Sequence, residues 1–102
     1  MANRRIALIQ GHPDPDGGHL DHALADAWAT GAEAAGHRVD RIPVAELDFP
    51  LLRRPADFEH GEPPAPIAAA QETLMAADHW TLVFPLWLGG PPALLKGFLE
   101  QV

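Results

Sequence analysis

Cysteine is missing altogether from this 102-residue sequence. Its absence removes disulfides, Cys-ligated zinc, iron–sulfur clusters and thiol chemistry, and it suits a reducing, cytoplasmic compartment. Positive charge is scarce: seven Lys and Arg stand against fourteen Asp and Glu, a formal net charge of −7. That balance argues against nucleic acid as a partner and favours solubility. Long apolar runs are lacking too. Ile6-Ala7-Leu8-Ile9 is stopped at once by Gln10-Gly11-His12-Pro13, so it is too short for a signal or membrane-spanning segment. No internal repeat is present, and the length suits one small domain spanning 1–102.

Proline and glycine, by contrast, are plentiful, eleven and nine residues, and they fall between periodic segments as punctuation. The most informative stretch runs from Thr81 to Phe98. Thr81-Leu82-Val83-Phe84 is a short run rich in β-formers, Pro85-Leu86-Trp87-Leu88-Gly89-Gly90-Pro91 is a loop, and helical spacing resumes at Ala93, Leu94 and Leu95. Pro92 suits the first turn of that helix. Gly89 and Gly90 would let a flat ring approach the main chain without meeting a Cβ. An ordinary strand-to-helix connection with a Trp packed over it explains the same letters equally well.

Taken in order, Ile6–Ile9 reads as a fully buried parallel strand. Leu20, Ala23, Leu24, Ala27, Trp28, Gly31, Ala32 and Ala35 recur on one face of a helix that Gly36 ends, which places Trp28 in the core. Residues 38–42 form a second strand, an edge strand in view of Asp40 and Arg41. Residues 43–66 read as a long connection anchored by Leu47, Phe49, Leu51 and Leu52. Pro63-Pro64-Ala65-Pro66 announces a helix with Ile67, Ala70, Leu74 and Ala77 as its stripe, and residues 80–84 are the third strand. The pattern β-α-β-α-β-α predicts a doubly wound parallel sheet of three strands, with ligands outside the carboxyl ends of the strands.

Two loops lie at those ends. The first, from Gly11 to His19, precedes a helix N-terminus, where free amides and the helix dipole favour an anion such as phosphate. It matches neither a Walker loop nor G-x-G-x-x-G, and a plain Asp-capped helix start accounts for it as well. A rival reading sees His12, Asp14, Asp16, His19 and His22 as ligands for zinc or iron. His12-Pro13-Asp14 is similar to the zinc motif of N-acetylglucosaminyl deacetylases. However, Pro15 stands where a second Asp belongs, so no metal site is assigned.

Both loops together resemble the flavodoxin-like NAD(P)H dehydrogenase (quinone) family. The resemblance spans the chain and rests on Gly11-His12-Pro13, Ala23-Leu24, Glu46-Leu47-Asp48-Phe49-Pro50, Phe84-Pro85-Leu86-Trp87 and Pro92-Ala93-Leu94-Leu95-Lys96-Gly97-Phe98. It implies a flavodoxin-like half domain, truncated to three strands, of a flavin-dependent NAD(P)H:quinone-type oxidoreductase. The implied cofactor is FAD or FMN, with NAD(P)H as co-substrate and a quinone or similar acceptor. By resemblance His12, Gly17, Gly18, His19 and Leu20 cradle phosphate, and Pro85, Leu86, Trp87, Leu88 and Gly89 hold the flavin ring. No catalytic acid or base is assigned. Two departures stand out: Gly17 and Gly18 occupy positions where the family usually has Ser or Thr, and Leu88 a position where many members carry an aromatic. The family's later strands and third flavin-contacting loop would lie beyond Val102.

Three further expectations follow. One alternative is a non-catalytic binding or regulatory module that kept the fold and lost flavin; a remote one is a metal-dependent, deacetylase-like hydrolase. The open third strand, and an apolar surface on the last helix formed by Leu94, Leu95, Phe98, Leu99 and Val102, imply a homodimer or a complementing polypeptide.

Overall fold

Ile6, Ala7, Leu8 and Ile9 are all buried in β1 (Arg5–Gln10), as a continuous apolar run at the centre of a parallel sheet requires. The structure, a computed structural model, describes residues 3–102. Its sheet is parallel with strand order β2-β1-β3, where β2 is Arg38–Pro43 and β3 is His79–Val83. This is the doubly wound α/β arrangement that the sequence predicts, and it puts the turns after β1 and β3 side by side.

Alternate residues of β1 serve two cores, as a period of two dictates. Ala7 and Ile9 join Ile42, Val44, Ile67, Ala70, Leu74, Leu95 and Phe98 on one face. That face is covered by α3 (Ala65–Ala76) and α4 (Ala93–Leu99). Leu8 meets Ala25 and Ala29 of α1 (Leu20–Ala34) on the other. The stripe read for α3 is the one it buries, apart from Ala77, which caps the helix and packs at the core's margin. Gly36 follows the C-cap of α1 with φ 92°, the left-handed position for which glycine is suited.

α1 is rotated from the expected phase. It buries Ala25 and Ala29 and leaves Leu20 73% and Leu24 50% exposed. In a helix so rich in Ala the apolar letters do not single out one face, and the side that packs is the one whose short side chains let the helix approach the sheet. Trp28 is accordingly half-buried, not central: it packs at the margin of the second core and stacks on His79, ring centroids 6.3 Å apart.

The 43–66 connection is more structured than its sequence suggests. It contains a single 3-10 turn at Val44–Glu46 and the short helix α2 (Pro55–Glu59). Leu47 and Phe49 pack on the core as anchors, whereas Leu51 is exposed. They cover α4, so the expectation of an apolar α4 surface is corrected: Leu95 and Phe98 are fully buried, Leu94 and Val102 pack against the core, and Leu99 alone of the five is exposed. The Gln101 amide donates to the Pro50 carbonyl at 2.7 Å, fastening the connection to the end of α4.

At the outer edge of β2, Asp40 accepts from Arg5 at 2.9 Å and from Arg38 at 3.1 Å. The Arg5 hydrogen bond is the main reason its carboxyl is held below the ordinary range, with Arg38 adding to it and burial opposing both. No helix among the described residues is long and apolar enough to cross a membrane.

Candidate functional site

The turn after β1 begins with a close approach. Gly11 donates its N–H to the Val83 carbonyl at 2.7 Å, and a Cβ on Gly11 would stand 2.6 Å from Leu95 Cδ2. Only glycine lets the chain leave the sheet here without displacing a buried side chain. From there a ladder of side-chain turns sets the loop. The His12 N–H donates to Gln10 Oε1, the Asp14 N–H to His12 Nδ1, and the Asp16 N–H to Asp14 Oδ1, at 3.0, 3.0 and 2.9 Å. The Gln10 amide group also donates to the Asp21 carbonyl at 3.2 Å, fixing the end of the strand against the first turn of α1.

This ladder draws the histidines together. His12 stacks on His19 with centroids 4.1 Å apart and planes 13° from parallel, and His22 stands 5.1 Å from His12 and 5.5 Å from His19. His19 Nε2 lies 2.7 Å from Asp14 Oδ2, and the His19 N–H donates to His22 Nδ1 at 3.4 Å. His12 is 6% exposed. Burial first, then the charges of His19 and His22, holds its pKa below the ordinary imidazole value; Asp21 and Asp14 pull the other way. Asp14 is held below the usual carboxylate range, first by His19 and then by the Asp16 amide.

Beyond the histidines the loop offers backbone donors. Gly17 and Gly18 adopt φ 75° and 82°. The N–H groups of Gly17, Gly18, Leu20 and Asp21 have no acceptor among the described residues, which is the usual state of a helix start awaiting an anion.

The turn after β3 is a tight one. Trp87 and Gly90 exchange N–H···O bonds of 2.9 and 3.1 Å, with Leu88 at φ 51° and Gly89 at φ 80° between them. Two successive left-handed residues define a type I′ turn. Leu88 adopts that conformation at a cost of about 1 kcal/mol, and its side chain is fully exposed. The N–H groups of Leu86, Leu88 and Gly89 have no acceptor among the described residues, and a Cβ on Gly18, Gly89 or Gly90 would meet nothing within 4 Å. Space over both loops is open, so together they form a shelf. A cavity of about 390 Å³ lies elsewhere, beneath Leu51, Phe58, Pro63 and Pro64.

One side-chain contact joins the loops: His12 and Trp87 meet edge to face, centroids 5.7 Å apart at 85°. The structure thus places His12, Gly17, Gly18 and His19 in one loop, Leu20 at the start of α1 that follows it, and Pro85, Leu86, Trp87, Leu88 and Gly89 in the neighbouring loop, with His12 and Trp87 touching. Gln10 and His22 were not read as parts of a phosphate loop. The signal for His22 was its position three residues after His19, the spacing of a helix-capping pair. For the metal reading, no group of three or more His, Cys, Asp or Glu side chains among the described residues is placed to hold an ion.

Comparison with known proteins agrees with the fold. The profile of the family described as Flavodoxin-like fold matches residues 4–102. NAD(P)H dehydrogenase [quinone] 1 of Rattus norvegicus is 29% identical over a 122-residue alignment covering 100% of this chain and 44% of that protein. An uncharacterized NAD(P)H oxidoreductase of Haemophilus influenzae is 44% identical over 60 residues, 56% of this chain and 30% of the other. Among solved structures, an NAD(P)H:quinone oxidoreductase from Methanothermobacter marburgensis superposes with a TM-score of 0.82 at 21% identity, covering 98% of this chain and 53% of that one. The chain therefore spans about half the length, or less, of the relatives it matches. With strand order, both loops and a profile match over nearly every residue in agreement, the chain belongs to the flavodoxin-like fold family and is related to the NAD(P)H quinone oxidoreductases.

Proposed function

We propose that this chain is a flavin-dependent NAD(P)H:quinone-type oxidoreductase, or a portion of one, acting on a quinone or similar small acceptor in the cytoplasm. The observation that carries this reading is the His12–Trp87 contact. It sets a loop with four free amides at a helix start beside a loop with three free amides and an exposed indole. The residues present fit FMN or FAD: the amides of Gly17, Gly18, Leu20 and Asp21, with His12 and His19, would hold phosphate. Pro85, Leu86, Trp87, Leu88 and Gly89 would hold the ring from one side. When bound, flavin supplies the two-electron chemistry between NAD(P)H and the acceptor. The protein's own part is to bind and orient. Trp87 offers an aromatic surface to a flat ring, and the strained Leu88 turn aims backbone donors at the ring's polar edge. No side chain in the two loops takes or gives a proton at a reacting atom in this reading.

The shelf covers only one side of a ligand, so a homodimer or a complementing polypeptide would supply the opposing wall. A second reading, a flavodoxin-like binding or regulatory module without catalysis, draws on that same openness. Titration of the purified protein with FMN and with FAD separates them, following flavin fluorescence and the visible absorption bands, and then adding NADH or NADPH with a quinone. The enzyme binds flavin and oxidises NAD(P)H in a quinone-dependent way; the module binds without turnover. Unchanged flavin spectra at saturating protein would overturn the flavin reading.

A further inference from the structure

Between Gln10 and Asp26 the chain carries three His and four Asp, with no Lys, Arg, Ser or Thr. The cations elsewhere are placed away from this loop or committed. Arg5 and Arg38 pair with Asp40, Arg41 with Asp26, and Lys96 with Glu100. Arg4 precedes β1 at the opposite end of the sheet, while Arg53 and Arg54 lead into α2. Within the loop, then, the imidazoles of His12, His19 and His22 are the only groups able to carry positive charge, and they lie within 5.5 Å of one another.

With those imidazoles neutral, Asp14, Asp16 and Asp21 make the surroundings of the free amides negative, and an incoming anion is repelled. With them protonated, the three carboxylates are matched, Asp14 directly by His19 through the 2.7 Å pair of its Nε2 with Asp14 Oδ2, but adjacent imidazolium rings repel each other at short range. A bound dianion relieves that repulsion. The buried His12 is the group most in need of such a partner. Its Nδ1 accepts the Asp14 N–H, so its hydrogen resides on Nε2, which has no partner among the described residues. His22 is arranged alike, with Nδ1 accepting from the His19 N–H. The titratable groups around His12 are His19, His22, Asp14 and Asp21, and Trp87, which reaches it from the turn after β3, is uncharged.

We infer that the first loop is a proton-linked anion site, in which the imidazolium groups of His12, His19 and His22, together with the free amides at the start of α1, bind the dianionic phosphate of a phosphorylated ligand, so that affinity rises as pH falls. This rests on the reading of the first loop as a phosphate-holding loop. Its new content is that imidazolium protons, not hydroxyls or fixed cations, supply the attraction. The sign follows directly. Anion binding favours the protonated rings, so the bound form holds more protons than the free form, and affinity decreases as pH rises and the rings lose those protons.

Inorganic sulfate is the suitable probe, because its charge is fixed over that range and any pH dependence belongs to the protein. Sulfate is titrated against the protein at about pH 5.5 and about pH 8, while the histidine ring signals are followed by NMR. The expected result is roughly tenfold or greater tightening at the lower pH, with histidine titration midpoints moved upward by sulfate. His19→Asn places a capping oxygen at the N-cap of α1 and His22→Asn keeps a polar acceptor in its first turn. Each should flatten the pH dependence in protein whose circular dichroism is unchanged. Sulfate affinity equal at the two pH values in the unmodified protein, no binding at the lower pH, or a pH dependence as steep in the folded double variant as in the unmodified protein would each overturn the inference. Flavin binding separates this from the broader proposal. FMN binding together with sulfate affinity that is equal at the two pH values sinks the proton-linked site alone, whereas pH-dependent sulfate binding without flavin binding sinks the flavin reading alone.

Discussion

His12 and Trp87 meet edge to face at 5.7 Å, and through that contact a buried imidazole of the first loop supports the exposed indole of the loop after β3. Trp28, by contrast, stacks on His79 where α1 crosses the sheet. The two tryptophans therefore separate binding from stability. Trp87→Ala should weaken flavin affinity by on the order of tenfold or more, since an aromatic face in contact with a ring is worth about 0.5–1.5 kcal/mol beyond its buried area. Its thermal midpoint should change little. Trp28→Ala should cost about 2 kcal/mol of stability, below the full value for a buried Trp because the ring is half-buried, and leave affinity near that of the parent. Equal losses of affinity in two folded variants would remove the loop after β3 from the site.

The close approach at Gly11 yields a second expectation. An added methyl there meets Leu95 Cδ2 at 2.6 Å and Phe84 Cβ at 3.0 Å, and Leu95 is fully buried with no room to swing. Gly11→Ala should therefore destabilise by about 1–3 kcal/mol, the usual cost of overpacking. Gly31 lies inside α1 with nothing within 4 Å of its missing Cβ. Gly31→Ala should stabilise by about 0.5–1 kcal/mol. Urea denaturation of both variants is the check, and a Gly11→Ala protein as stable as Gly31→Ala would mean that the loop does not leave the sheet as described.

The contrast between those two glycines also shows where the sequence was legible. β1 could be read because a continuous apolar run has one sensible place in a parallel sheet, and α3 because a proline-rich start marks its first turn and Ile67 and Leu74, two turns apart, lie on one side of it. The phase of α1 could not. Its helix is made of Ala and Leu on several sides, and what decides the buried side is how closely Ala25 and Ala29 let it approach Leu8, a property of the sheet and not of the helix. The two loops were marked by Gly and Pro, so their positions were legible. The imidazole cluster within the first was not, since it depends on the Gln10, His12 and Asp14 side chains each capturing the amide two residues on. From sequence alone, the six His and Asp residues at positions 12–22 also allow a rival metal reading.

The last expectation concerns the two edges of the sheet, which are not alike. β2 ends the sheet on one side with Arg38, Asp40, Arg41 and Pro43, and charges and proline discourage a further strand from pairing. β3 ends it on the other with His79-Trp80-Thr81-Leu82-Val83, which has neither Lys nor Pro, and its outer side is unpaired among the described residues. Trp80 is 60% exposed although its Nε1 donates to the Leu74 carbonyl. Leu82 is also exposed, and the Thr81 hydroxyl is buried with no partner among the described residues. On the α1 face of the sheet, Leu20 and Leu24 are exposed as well. Burying one Leu side chain is worth roughly 1.5–3 kcal/mol, so covering this margin would offset a large part of the stability of a domain this size. The protein should accordingly associate through β3, as a homodimer or with a complementing polypeptide. Size exclusion with light scattering at roughly tens of micromolar should report a dimer for the protein alone. Leu82→Lys, which sets a charge on the exposed edge without touching the fully buried core, should shift it to monomer with its circular dichroism unchanged. A monodisperse monomer that unfolds cooperatively, before any substitution, would show that this edge needs no cover.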